Sequence, residues 1–489
     1  MNGGGQMTEA GGGTAWRGGI CAVVLGVLLG VPAGAQTVQR IEYDDGAAYE
    51  GTFRSGVQHG RGSYVAPSGF RYEGDWVEGR IQGQGVAHYP DGSVYEGHFT
   101  AGRPDGKGRI TYPDSGSYDG EWKDGAITGE GVARYADGST YRGQFVDAVH
   151  HGRGMLTTPS GYRYDGDWVE GLREGEAKIT FADGSVYEGR MIAGRMAGQG
   201  RLAMADGRIH EGVFTAGQMT GKGKLTDPAT GEVYEGDFLD GRREGKGRLT
   251  LADGSVYEGD FYADQRHGQG RLQGADGFSY AGGWVEGQAT GTGAIIWPDG
   301  SRYEGEVMAM QPHGQGRITW PDGGWHEGSW RAGELFGEGR TVHADGMEYE
   351  GMFEAGQHHG LGRMSLPDGY VYTGAWSAGR QHGEGQASFP DGTVYSGDFV
   401  DGQREGQGRL TSPDGFAYEG EWQDGEPHGT GIATYPGGDR YEGGFSRGRR
   451  EGEGVMTYAS GQVEAGIWHE DRLTRPPVLS ADEDDLPEP

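Results

Sequence analysis

One residue pattern constrains this chain more than any other. Tyr49, Tyr72, Tyr95, Tyr118, Tyr141, Tyr164 and Tyr187 stand 23 positions apart, each opening a Tyr-x-Gly tripeptide. His210 keeps the phase, and one step of 24 leads to Tyr234. The spacing then runs through Tyr257, Tyr280, Tyr303, His326, Tyr349, Tyr372, Tyr395, Tyr418, Tyr441 and Glu464. A fixed period of this size marks a repeat architecture, in which each unit is one supersecondary motif stacked on its neighbours. The count is nineteen units, preceded by a half-unit at Ile41, Tyr43, Asp45 and Gly46. Such a chain does not collapse around one large core.

The unit from Tyr72 to Val94 shows what the motif is. Tyr72, Gly74 and Trp76 alternate with Glu73 and Asp75, which is the period-2 pattern of a strand with one apolar face. Gly79 and Gly83 are read as bracketing a turn. Gly85, Ala87 and Tyr89 then alternate with Val86 and His88 as a second strand, and Pro90-Asp91-Gly92 supplies a second tight turn. No helical period is present beyond the N-terminal segment. Glycine weakens a strand interior unless something needs the space, so each Tyr or Trp ring is expected to lie over a glycine of the neighbouring strand. The 104 glycines are roughly three times what average usage gives. Their fixed period, with 26 Tyr and 12 Trp, separates the chain from disordered sequences, which are poor in aromatics.

The segments YEGDW and YEGEW (Tyr418 to Trp422), with Gly379-Arg-Gln-His382-Gly383-Glu-Gly385, make the chain resemble the MORN (membrane occupation and recognition nexus) repeat family over about Ile41 to Trp468. The resemblance implies an all-β fold: an elongated, single-layer antiparallel meander of about nineteen 23-residue β-hairpin repeats, in a family whose members are often homodimers. It also implies a membrane-junction, cytoskeletal or ciliary scaffolding role, or an accessory segment of an enzyme; for this chain no cofactor is expected.

The position four residues after the Tyr alternates as Phe53, Trp76, Phe99, Trp122, Phe145, Trp168, and again as Phe353, Trp376, Phe399, Trp422, Phe445, Trp468. The array therefore reads as duplicated 46-residue pairs, with a junction near the 24-residue step. The expected organisation is 1–35 signal peptide, 36–48 half-repeat cap, 49–233 repeats 1–8, 234–473 repeats 9–19, and 474–489 acidic tail. The signal peptide is read from Arg17, the apolar run Ile20–Val31 and Ala33-Gly34-Ala35, with cleavage between Ala35 and Gln36. The run is short for a membrane span of about 20 residues. The expectation is a secreted or periplasmic protein, the alternative being an anchor through residues 18–35. The single cysteine, Cys21, precedes the cleavage point, so the mature chain uses no disulfide.

A net charge of −31 spread along the chain disfavours nucleic acid and anionic membrane surfaces. Protein or polysaccharide partners remain. Seven histidines, His59, His151, His267, His313, His359, His382 and His428, share one repeat position. Equivalent positions lie about 9.6 Å apart, two strand spacings, too far for one metal ion to bridge with bonds of about 2 Å. They are read as turn residues, and no metal ligand or catalytic residue is assigned. Asp-Gly pairs stand where hairpin turns need them. The candidate partner-binding feature is the aromatic stripe Trp76, Trp122, Trp168, Trp284, Trp330, Trp376, Trp422 and Trp468. On this reading the chain is a non-enzymatic extracytoplasmic scaffold binding along its length. A glycan-binding module using exposed aromatics is the alternative.

Overall fold

The computed structural model describes residues 37–475. The described residues form two compact units, unit 1 ending at Ala252 and unit 2 beginning at Asp253. The described part of unit 1 holds nineteen strands and that of unit 2 twenty, with no helix. Within each unit, successive strands pair antiparallel in chain order, as in Arg71–Val77 with Arg80–His88, and Arg80–His88 with Val94–Thr100. The expected all-β hairpin meander is what the chain forms. The junction read at 233/234 falls inside unit 1, where the 24-residue step is taken up by the turn between Gln218–Asp227 and Glu232–Leu239. There Asp227 accepts hydrogen bonds from the Ala229 and Thr230 amides.

Most hairpins join a seven-residue strand to a nine-residue strand through a two-residue turn, as Arg71–Val77 joins Arg80–His88. Glu78 (φ 48°) and Gly79 (φ 79°) both take positive φ. This is the type I′ geometry whose twist matches that of the flanking strands. The turn is therefore Glu78-Gly79, and Gly83 lies inside the following strand, not at a turn edge. Gly74 pairs with Gly85 but Trp76 pairs with Ile81, so Asp75 alone faces Gln82, Gly83 and Gln84. That bulge absorbs the two extra residues of the longer strand, and Gly83 (φ 102°) makes the bend. Asp75 caps it by accepting a hydrogen bond from the Gln84 amide at 3.0 Å.

The second turn forms as the sequence reads. The Tyr89 amide donates to the Ser93 carbonyl, the Gly92 amide to the Tyr89 carbonyl, and Asp91 accepts from both the amide and hydroxyl of Ser93. Those bonds hold the Asp91 carboxyl below its usual range.

One face of each unit is buried by its own rings. Tyr72 lies over Gly74 of its own strand and Gly85 of the next, where any Cβ would overlap the ring or its hydroxyl. Its hydroxyl donates to the Asp75 carbonyl at 3.1 Å. Burial pushes the phenol pKa of this tyrosine row up, to about 12 at Tyr49 and Tyr187. Between successive tyrosines stands the Phe or Trp four residues on. Trp76 meets Tyr49 edge-on at 5.0 Å and Tyr72 at 5.7 Å, and Phe99 meets Tyr72 at 5.1 Å. Edge-to-face pairs of this kind contribute about 0.5–1.5 kcal/mol each beyond burial. The interlocked row supplies a core that a one-layer sheet otherwise lacks.

Candidate functional site

The eight indoles of the sequence-derived stripe belong to that core. Trp76, Trp122, Trp168, Trp284, Trp330, Trp376, Trp422 and Trp468 are 1–7% exposed. Each also donates its indole N–H to a glycine carbonyl of the preceding hairpin, as Trp122 does to Gly108 at 3.0 Å and Trp468 to Gly454 at 3.1 Å. Both the ring faces and the polar handle are used in holding adjacent hairpins together. The structure leaves no open indole platform among these residues. Ala35 and Gln36 lie outside the described residues.

The seven histidines do not sit in turns. Each immediately precedes the bulge glycine within the longer strand, as His151 precedes Gly152 and faces Gln144. Among the described residues no group of three or more His, Cys, Asp or Glu could hold a metal ion.

Two other histidines are core residues that the sequence reading passed over. His150 stacks flat on Tyr141 (3.7 Å, 12°) and His358 on Tyr349 (3.6 Å, 12°). Burial lowers both imidazole pKa values to about 4. His326 replaces a row tyrosine, is fully buried, and shares a 2.7 Å hydrogen bond with Thr341 through Nδ1. Its pKa is likewise lowered to about 4 by burial.

The opposite, outer face is the exposed one. It carries cross-strand ion pairs such as Lys178–Glu188 (2.7 Å), Arg201–Glu211 (3.2 Å), Lys224–Glu235 (3.0 Å) and Arg317–Glu327 (3.3 Å). Exposed pairs of this kind contribute about 0–1 kcal/mol each. They decorate the face more than they hold it.

The outer face of unit 1 also has a shallow groove of about 570 Å³, lined by Arg153, Glu176, Lys178, Glu188, Gln199 and Arg201 and floored by Ala177, Gly189 and Gly200. Ala177 is the single departure from the paired glycines. It faces Gly166 and Gly189, where every other full hairpin places Gly opposite Gly. A methyl group thus enters the ring-covered row beneath the groove. The departure is visible in the sequence as Glu-Gly-Glu-Ala at 174–177, where the motif has Gly-x-Gly.

The MORN repeat family model matches eighteen segments, from 49–71 to 441–463. The chain belongs to the MORN repeat family. The matches follow the tyrosine period unit by unit and stop before the nineteenth, whose row position is Glu464. Its architecture is that of a repeat-based interaction scaffold. Comparison with curated proteins finds no significant relative.

Among solved structures, similarity extends to the TCP domain of Drosophila melanogaster SAS-4, solved with a proline-rich motif of Ana2 (13% identity, 41% of this chain and 90% of that chain, TM-score 0.20). It extends also to the TCP10 domain of Danio rerio CPAP (14% identity, 64% and 99%, TM-score 0.13) and to a streptogramin B lyase (14% identity, 62% and 92%, TM-score 0.11). At these TM-scores the likenesses support no conclusion about function.

Proposed function

We propose that this MORN array is a non-enzymatic scaffold that works outside the cytoplasm and binds a protein partner through its outer face and turn edges. The observation that carries this reading is the division of labour between the faces. The ring-bearing face is consumed by its own packing, whereas the outer face presents repeated, exposed polar and aliphatic side chains. A repeating surface of this kind suits many weak contacts whose avidity grows with the number engaged. A glycan-stacking role draws no support from the eight indoles, because sugar stacking needs an open ring face.

The extracytoplasmic placement is supported by the apolar run Ile20–Val31 and the Ala33–Ala35 site. Mass spectrometry of the native protein should find Gln36 as the first residue, and a membrane-bound protein retaining residues 18–35 would replace secretion with anchoring. Cross-linking in the native compartment should return protein partners. Recovery of polysaccharide alone would overturn the scaffold reading.

A further inference from the structure

In unit 1, the outer-face residues that flank the type I′ turns are aliphatic in three successive hairpins: Val146 with Val149, Val169 with Leu172, and Ile192 beside Arg195. The five aliphatic side chains are 42–53% exposed. Neighbouring hairpins place Thr100 with Arg103, Lys123 with Ala126, and Thr215 with Gln218 at these positions, so the hairpin itself does not require aliphatics there.

The three edges are held side by side. The Gly171 amide donates to the His150 carbonyl (3.0 Å) and the Gly194 amide to that of Arg173 (2.9 Å). A Cβ on Gly171 would stand only 3.2 Å from Val149 Cγ1. A row of exposed aliphatics on a soluble surface marks an interaction site when the side chains are contiguous.

We propose that this row is a docking rail for a proline-rich segment of a protein partner, held as a polyproline II helix with an apolar residue at every third position and basic residues between. The proposal rests on the scaffold reading and specifies its partner.

The spacing decides the conformation. Equivalent side chains of successive hairpins are about 9.6 Å apart, two strand spacings. A polyproline II helix repeats every three residues over about 9.3 Å, so one face stays in step with the rail. Three residues of a β-strand cover about 10 Å, but residues i and i+3 point to opposite faces. An α-helix needs seven residues and about 10.5 Å, drifting by about 0.9 Å at each hairpin.

Charge favours a basic segment. Residues 141–203 carry eight Lys/Arg against eight Asp/Glu, so the preference for a basic segment comes from the acids beside the rail and not from the net charge of the window. The rail itself is bordered by acids, Asp147 and Glu170 in the turns and the facing pair Asp167 and Glu174 one row in. The cations Arg153, Lys178 and Arg201 lie farther along the strands, in the groove.

The test uses the full chain and a fluorescent peptide of about twelve residues, four polyproline II turns, with leucine at every third position among prolines and flanking lysines. A peptide of the same composition with leucine at every fourth position is the control. The first should bind saturably and the second about tenfold or more weaker. The double substitution Val169→Thr, Leu172→Gln should weaken the first peptide by about tenfold or more while leaving the melting profile unchanged. Val400→Thr, at the same repeat position of unit 2, should leave the affinity unchanged. Equal binding of the two peptides, absence of saturation, an unaffected double variant, or an equal loss in the Val400 variant would each overturn the rail.

Native cross-linking separates the two levels. Partners recovered equally from wild type and the double variant would leave the scaffold standing and remove the rail. Recovery of no protein at all would remove both.

Discussion

At the residue scale the array turns on the fit between tyrosine and glycine. At Gly74 a Cβ would stand 2.5 Å from both the Gln84 carbonyl oxygen and Gly85 Cα, which are backbone atoms and cannot give way, and it would overlap the Tyr72 hydroxyl. Gly74→Val should therefore cost about 3 kcal/mol or more, whereas Glu73→Gln on the outer face should change stability by less than about 0.5 kcal/mol. Hydrogen exchange at the flanking hairpins reads the difference, and equal protection in the two variants would invert the assignment of faces. The core histidines give a second prediction. His150 and His358 are held neutral with pKa values near 4, below their unfolded value of about 6.5. The unfolded chain then takes up protons first, so stability is whole above about pH 6.5 and falls as pH drops toward 4. Replacing both with Gln, the residue at the equivalent position 381, should flatten the decline of the melting temperature between those pH values; an unchanged slope would clear the two histidines of it. The tyrosine–glycine fit was legible because both residues carry the period. The fate of the indoles was not, because alternation places Trp76 on a face without saying that the neighbouring Tyr49 and Tyr72 rings close over it.

At the element scale the hairpin is fixed by two positive-φ residues, and the sequence often fills them with something other than glycine. Ala309 (φ 50°) and Met310 (φ 65°) form one such turn, where Ala332 and Gly333 form the next. A left-handed conformation costs an L-residue about 1–2 kcal/mol, offset in part by the greater chain entropy that glycine loses on folding. Met310→Gly should therefore stabilise its hairpin by a net amount of about 0.5–1 kcal/mol, seen as slower amide exchange across Arg302–Thr319; faster exchange would mean that the half-buried Met310 side chain does more than the backbone strain undoes. The same turns show where sequence reading lost the register. Gly79 and Gly83 look alike as turn residues, but one closes the I′ turn and the other makes the bulge opposite Asp75. The two functions are four residues apart, and only the pairing of Gly74 with Gly85 and Trp76 with Ile81 separates them. The Pro90-Asp91-Gly92 turn was read correctly because each of its residues has one obvious role there. The aliphatic edge was missed for a related reason. Val146 and Val169 carry the period at a phase that alternates with the tyrosine row, and hairpin after hairpin fills that phase with a different residue type.

At the scale of the whole molecule the 46-residue pair, not the single 23-residue unit, is the interchangeable part. Ring packing passes from each tyrosine to the Phe or Trp of the following hairpin. Tyr349 meets Trp376 at 5.4 Å and Tyr395 meets Trp422 at 5.0 Å, while Tyr372 meets Phe399 at 5.1 Å. Removing residues 372–417 joins Val371 to Tyr418 and brings Trp422 to the place Trp376 held against Tyr349, so the interlocked row closes without a change of ring size. Removing only residues 372–394 would bring Phe399 there instead and leave a cavity where an indole had been, at a cost of about 1–3 kcal/mol. In a repeat array each unit contacts mainly its neighbours, so the 46-residue deletion should melt close to wild type and the 23-residue deletion measurably below it. Thermal unfolding followed by near-ultraviolet circular dichroism checks this, and identical profiles for the two deletions would show that the Phe–Trp alternation is incidental. Binding gives the complementary result. Deleting residues 372–417 leaves Val146, Val149, Val169, Leu172 and Ile192 in place, so the proline-rich probe should bind the shortened chain unchanged. The native partner, held along several hairpins, should bind it more weakly but not be lost, because avidity falls with each contact removed. Deleting residues 141–186, also 46 residues, brings Met191 to the place Phe145 held against Tyr118; an apolar side chain of similar size should keep the fold, while the probe should no longer bind. If instead the deletion at 372–417 abolished partner binding entirely, the partner would be held by unit 2 at one place, and distributed binding would give way to a single local site.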